Sequence, residues 1–283
     1  MVDAAGLRWH VQRWNAGRSG RPVALLIHGT GAGSHSWRHL APRLAQRFDV
    51  IAPDLPGHAF TETPDAQALS LPAVADALAA LLERLQVRPA LVVGHSAGAA
   101  VALRMALSGG IAPQLIVSIN GAILPLQGAL GRMFMPAARL LAASPLVAPA
   151  FAAWAALPSV TRRLLDSTGS RIDAEGERCY AHLVADGRHA AGALRLMASW
   201  DLDALAHDLP RLTVPLLLMA AEGDRTLSPS HAQRVQAVVP HSQLVWQPGL
   251  GHLSHEEDAA ATLAPIDAAW AAASRPPQPA FSD

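Results

Sequence analysis

The chain has 283 residues, with 22 basic and 22 acidic side chains, no formal net charge, 51% hydrophobic residues and only 16% charged ones. That balance offers no electrostatic footprint for nucleic acid, and the length is enough for a continuous hydrophobic core. A single cysteine, Cys179, excludes an intramolecular disulfide or a cysteine-based zinc site and fits a reducing compartment; a half-buried helix position is expected for it. Met1 to Gly6 lacks the basic stretch and apolar core of a secretory signal, so a cytoplasmic location is expected.

Leu7 to Trp14 alternates in the period-2 pattern of an antiparallel strand, and Asn15 to Pro22 reads as a turn-rich loop. Val23 to Ile27 is an apolar run, a buried strand, ending in His28-Gly29-Thr30-Gly31-Ala32-Gly33. The glycines and Asp54 invite a dinucleotide-binding reading. Against it, the third glycine of G-x-G-x-x-G would fall at Ser34, and no helix starts at once to receive a pyrophosphate; the helical pattern waits until about Arg38 to Ala45. The better reading is a loop that offers the backbone N–H of Thr30 to a developing oxyanion. Phe48 to Ala52 predicts the next strand, Pro53 to His58 a rigid loop, and Ala73 to Leu85 a helix.

The stretch that carries chemistry follows. Leu91 to Val93 reads as a buried strand and Ala97 to Leu107 as a helix, with Gly94-His95-Ser96-Ala97-Gly98 as the turn between them. A strand-to-helix turn that sharp forces Ser96 into strained angles, and glycines on either side relieve the crowding. Leu115 to Ile119 predicts another strand, ending at Asn120-Gly121. Alternation of strand and helix implies a parallel sheet with helices on both faces.

Strand signals vanish from about Ala122 to His207. Leu140 to Thr161 has no charged residue and would span a bilayer by length, but Pro145, Pro149 and Pro158 break it into short apolar helices. More polar helical stretches follow around Val160 to Asp166, Ala174 to Asp186 and Ala190 to Leu205, so 122–207 is expected to be an inserted helical lid between core segments 1–121 and 208–273. Leu212 to Ala221 and Gln243 to Trp246 predict the last strands and His255 to Ala273 the last helix, and 274–283 a disordered tail.

A serine hydroxyl needs a base and an orienting acid. Glu222-Gly223-Asp224 ends one late strand, and His252 lies on the glycine-rich loop after the next, which gives the order Ser96, Asp224, His252. Glu222 competes for the acid position but belongs to the end of the strand itself. Asn120 occupies another strand end, yet an amide cannot stabilise an imidazolium as a carboxylate does. His255 with Glu256 and Glu257 reads as a solvated first helical turn, not a metal site. His28 and His95 flank the site as packing and hydrogen-bonding residues. Thr30 and Ala97 would supply the oxyanion-binding N–H groups.

His28-Gly29, Asp54-Leu55-Pro56-Gly57-His58, Gly94-His95-Ser96-Ala97-Gly98, Gly223-Asp224 and Gly251-His252 together resemble the α/β-hydrolase superfamily across nearly the whole chain. Within it, the chain is similar to the magnesium-chelatase accessory proteins of bacteriochlorophyll synthesis. The stretches behind this are His28 to Trp37, Gly94 to Ala100, Asn120-Gly121-Ala122 and Ser199-Trp200-Asp201-Leu202. The resemblance implies a mostly parallel sheet of about seven to eight strands flanked by helices, with an all-helical lid. It also implies a serine hydrolase that needs no cofactor or metal and acts on or binds a large hydrophobic ester, with a tetrapyrrole intermediate as substrate and chelatase subunits as partners. The rival is a porphyrin carrier that keeps the fold without the chemistry. Met133, Phe134 and Trp154, with Arg132 and Arg139 to pair a carboxylate, would form an apolar roof over Ser96 beside His28 and His95, and the same roof could touch a membrane. Two departures stand out. Ala59-Phe60 replaces a small pair and is expected to narrow the pocket, and Met1 to Gly6 is too short for a full partner strand, so the first edge strand is expected to be missing or shortened.

Overall fold

The computed structural model describes residues 1–15, 20–125, 144, 146–155 and 157–275. Nine strands are formed by these residues: β1 (Val2–Ala4), β2 (Leu7–Trp9), β3 (Val11–Trp14), β4 (Val23–Ile27), β5 (Asp49–Pro53), β6 (Pro89–His95), β7 (Leu115–Ile119), β8 (Leu216–Ala221) and β9 (Ser242–Gln247). Seven make one sheet in the order β3-β5-β4-β6-β7-β8-β9, parallel throughout except for β3. The described helices are α1 (Ala41–Leu44), α2 (Leu71–Arg84), α3 (Ala97–Leu107), α4 (Val147–Ala155), α5 (Pro158–Ser167), α6 (Ala174–Ala185), α7 (Gly187–Ser199), α8 (Asp203–Asp208), α9 (Ser230–Val238), α10 (Ser254–Glu257) and α11 (Ala259–Ala273).

The strands β4 to β8 are buried on both faces, so their sequences are apolar runs and not alternations. Leu25, Ile27, Val92, Ile116 and Leu218 pack on one face with α2 and α3, whereas Ala24, Leu26, Val93, Val117 and Met219 pack on the other with Trp37, Leu44, Phe48 and Ile266. Chain order reverses direction between β4 and β6, so the loops after these strands meet at the carboxyl edge, where ligands of open α/β sheets bind.

Three elements differ from expectation. The strand expected over Leu7 to Trp14 breaks at His10, whose N–H bonds to the Thr61 hydroxyl and whose carbonyl accepts from Asp54, so β2 and β3 join different sheets. The first edge strand is shortened, not missing: β1 pairs with β2 through an Ala5-Gly6 turn in which both residues have positive φ, the hairpin conformation that matches strand twist. The last helix is also two, divided at Asp258, which caps α11 by accepting from Ala260 and Ala261. Between β7 and β8, α4 to α8 form a helical insertion, and the stretch expected as one helix over Ala190 to Leu205 breaks between α7 and α8. The expected tail falls largely outside the described residues.

Candidate active site

Ser96 sits between β6 and α3 with φ 49° and ψ −116°, a conformation a non-glycine residue adopts only where its surroundings impose it. The surroundings are glycine. A Cβ on Gly98 would lie 2.1 Å from the Ile27 carbonyl oxygen, and one on Gly94 would lie 2.5 Å from the backbone of Gly98 and Ala99. Strand and helix can approach only because neither side chain exists. The turn is pinned by the Ser96 N–H to the Ile119 carbonyl at 3.0 Å, and the Ser96 carbonyl accepts from Ala99 and Ala122.

Asp224 and His252 come together as the sequence order requires. His252 Nδ1 lies 2.7 Å from Asp224 Oδ2, with both side chains buried. The other carboxylate oxygen accepts from the N–H groups of Thr226 and Leu227 at 2.7 and 3.0 Å, which fixes the acid's rotamer. Because the carboxylate can only accept, Nδ1 carries the proton and Nε2 keeps a lone pair, the tautomer a general base needs.

His95 and Asn120 hold the loop that carries His252. His95 donates from Nε2 to the His252 carbonyl at 3.0 Å, and its ring lies against those of His252 and His255 at 4.8 and 4.5 Å. Asn120 donates from Nδ2 to the same carbonyl at 2.9 Å and to that of Gly251 at 3.2 Å, while its Oδ1 accepts from Ala221 on β8. Set aside as an acid on chemical grounds, Asn120 bridges β8 and the loop that carries His252. His28 is fully buried and spent on the backbone: Nε2 accepts from Leu55 and Nδ1 donates to Gly29. Its place, like that of His95, fits packing better than substrate contact.

The loop after β4 packs directly on Ser96. A Cβ on Gly29 would stand 3.0 Å from Ser96 Cβ and 2.9 Å from His95 Nδ1, and Thr30 is the next residue. Ala97 is the first residue of α3, so its N–H has no acceptor inside the helix. Asp54 organises the same region, accepting from the Ser34 N–H at 2.6 Å, from His10 at 2.7 Å and from the Phe60 N–H at 3.3 Å. Burial alone would raise its pKa; the His10 hydrogen bond, the nearby His28 and the Ser34 N–H outweigh burial and hold it at about 2. From the insertion, His189 on α7 accepts from Ala59 and donates to the Gly31 carbonyl.

The reading of His255, Glu256 and Glu257 as a solvated turn is overturned. His255 is fully buried beside Trp37, and Glu256 pairs with Arg38 and accepts from the Tyr180 hydroxyl at 2.7 Å. Arg38 also bonds Asp173, which caps α6, at 2.5 Å. Burial pushes the Glu256 carboxyl up to about 7 against the pull of Arg38. Glu257 accepts from Gly251 and Arg171. Nothing in the sequence marked Arg38 and Tyr180 as partners of a residue some 76 or more positions away.

Phe60 does not narrow the site: it is 71% exposed, edge-on to His10 at 5.2 Å. It lines a surface groove of about 1850 Å³ with Arg8, His10, His189 and Leu194, which none of Ser96, Asp224 and His252 lines. Arg132, Met133, Phe134 and Arg139 lie outside the described residues, and Trp154 is half exposed on α4. Cys179 is half-buried on α6, and burial raises its thiol pKa.

The model of the Alpha/beta hydrolase family matches residues 24–265. The chain belongs to this family. A relative named magnesium-chelatase 30 kDa subunit, from Rhodobacter capsulatus, is 41% identical over 243 residues, covering 86% of this chain and 84% of that protein. Among solved structures, an epoxide hydrolase superposes with a TM-score of 0.78 at 20% identity, covering 95% and 96% of the two chains. A thermophilic esterase from Thermogutta terrifontis gives 0.71 at 20% identity and 94% of each. At such identity the neighbours share the fold, and their different reactions show that the fold alone does not name the chemistry.

Proposed function

We propose that this α/β hydrolase is a Ser-His-Asp esterase acting on a large hydrophobic ester. The observation that carries the reading is the buried Asp224–His252 pair at 2.7 Å together with a strained Ser96 at the turn between β6 and α3. Ser96 Oγ attacks the acyl carbon while His252 Nε2 takes its proton, and the Thr30 and Ala97 N–H groups receive the oxyanion, each worth about 3 kcal/mol. Collapse expels the alcohol, protonated by His252, and leaves acyl-Ser96. Water, deprotonated by the same ring, then releases the acid and restores the serine.

The insertion, 122–207, acts in this reading as a lid between core segments 1–121 and 208–273. Leu146, Trp154 and Leu157 expose 76%, 50% and 54% of their surface there, and no charged residue separates them, which suits a hydrophobic ligand or a peripheral contact with a bilayer. Among the described residues no helix is long and apolar enough to cross a membrane. Arg132, Met133, Phe134 and Arg139 are proposed to extend the same roof.

The relative's name supports chelatase subunits as partners; a tetrapyrrole ester of bacteriochlorophyll synthesis is the substrate proposed on the sequence resemblance. The resemblance equally favours a second reading, a porphyrin carrier or chelatase partner without turnover. Incubation with protoporphyrin dimethyl ester separates the two. Methanol release by wild type and none by Ser96→Ala is expected; tight binding without release by either protein would favour the carrier, and equal release by both would overturn the mechanism.

A further inference from the structure

Three glycines from distant parts of the chain meet beside the acid–base pair. Gly169 lies in the turn between α5 and α6 with φ +81°, and a Cβ there would fall 2.0 Å from the Gly223 carbonyl oxygen. A Cβ on Gly251 would fall 2.4 Å from the Gly169 carbonyl carbon, and one on Gly223 would fall 2.8 Å from the Leu250 carbonyl oxygen. Gly223 immediately precedes Asp224, and Gly251 immediately precedes His252. The insertion therefore touches both loops at the residues next to the pair, with no side chain between the backbones.

Hydrogen bonds follow the same path. The single carbonyl of Thr168 accepts from Arg225, the residue after the acid, at 3.2 Å and from His252 itself at 3.3 Å. The Ser170 hydroxyl, buried, accepts from the Leu253 N–H at 2.8 Å. The Arg171 N–H donates to Glu257 Oε2, whose other oxygen accepts from Gly251. The turn's remaining hydrogen bonds are local, to the carbonyls of Leu165 and Asp166 and within the turn itself, so its long-range bonds reach the acid loop and the base segment.

We infer that the turn Thr168-Gly169-Ser170 is a positioning element for the Asp224–His252 pair, so that the geometry of the pair answers to the seating of the helical insertion. Only backbone fits between Gly223 and Gly251, and one carbonyl bridges the N–H groups that flank or belong to the two catalytic side chains. The inference rests on the Ser-His-Asp reading for its consequence in catalysis, but the pair itself is observable without turnover.

The test compares wild type, Gly169→Ala, Ser170→Ala and a control within the same insertion, Gly187→Ala, whose added methyl meets nothing within 4 Å. Far-UV circular dichroism reports folding, the low-field proton resonance of His252 Nδ1–H reports the pair, and the pH profile of labelling by a fluorophosphonate reports the serine. Folded Gly169→Ala is expected to lose or shift the resonance and to label Ser96 about 100-fold more slowly, the scale of a misplacement near 1 Å. Ser170→Ala should show the same changes at about 10-fold, and Gly187→Ala neither. If Gly169→Ala fails to fold, Ser170→Ala decides alone. A wild-type resonance and labelling rate in the folded variants overturns the inference, as does absence of the resonance from wild type. A resonance present in wild type and lost in the variants, without labelling of any protein, upholds the positioning role while the hydrolase reading falls.

Discussion

Arg38→Ala isolates the buried Arg38–Glu256 pair, which is tied to the insertion through Asp173 and Tyr180. Glu256 is fully buried and its partner nearly so, which makes the carboxyl sensitive to removal of the cation. Its folded pKa of about 7 stands above the ordinary 4.5, so its favourable contribution is complete below about pH 4.5 and lost as pH rises through 7. In wild type that loss saturates once the carboxylate forms against Arg38. Without Arg38 the pKa climbs further and the loss continues at about 1.4 kcal/mol per pH unit. At pH 6 the group is neutral in both proteins, and the variant loses only charge-assisted hydrogen bonds, about 1.5–3 kcal/mol. At pH 8.5, one and a half units above the wild-type value, a further penalty of about 2 kcal/mol is expected, roughly 5 °C in Tm. Urea unfolding at the two pH values measures the difference, and Glu256→Gln in the same background should abolish it. An Arg38→Ala penalty equal at pH 6 and 8.5 would refute the reasoning.

Asn120→Asp replaces the donor to two carbonyls by an oxygen that repels them, so a stability loss of about 2–3 kcal/mol and labelling of Ser96 at least 10-fold slower are expected; unchanged melting and labelling would show that the bridge is idle. Acid should unfold the protein early. Burial lowers the pKa of His35 and His255 to about 3 and of His189 and His231 to about 4, and lowers those of His28, His58 and His95 as well. Each ring supports the fold above its unfolded value of about 6.5 and withdraws up to about 1.4 kcal/mol per unit as pH falls below it. Unfolding with a midpoint near pH 5 is expected by circular dichroism. Equal stability at pH 7.5 and 4.5 would contradict it.

What the sequence made legible follows from range. Gly94 to Gly98 announces a turn because strand, serine, glycines and helix are contiguous, and Asp224 and His252 stand out as candidates because one follows the apolar run Leu216 to Ala221 and the other lies on the glycine-rich loop after β9. The sheet follows from the same runs. Asn120, Arg38, Tyr180 and the turn at Gly169 act through contacts made only after the sheet assembles, and no local pattern marks them. The solvated reading of Glu256 failed for that reason: Glu-Glu at a helix start suits water until an arginine and a tyrosine from elsewhere cover it. His10 breaks a strand because Asp54 and Thr61 compete for its groups, and that competition is invisible in the alternation of Leu7 to Trp14.

The most direct test of the proposed chemistry is stoichiometric labelling by a fluorophosphonate, followed by peptide mass spectrometry of wild type, Ser96→Ala and His252→Ala. One adduct per chain on Ser96 is expected, absent from Ser96→Ala and formed at least 1000-fold more slowly in His252→Ala. No adduct on folded wild type, or an adduct that survives in Ser96→Ala, would contradict the assignment of Ser96 as the nucleophile.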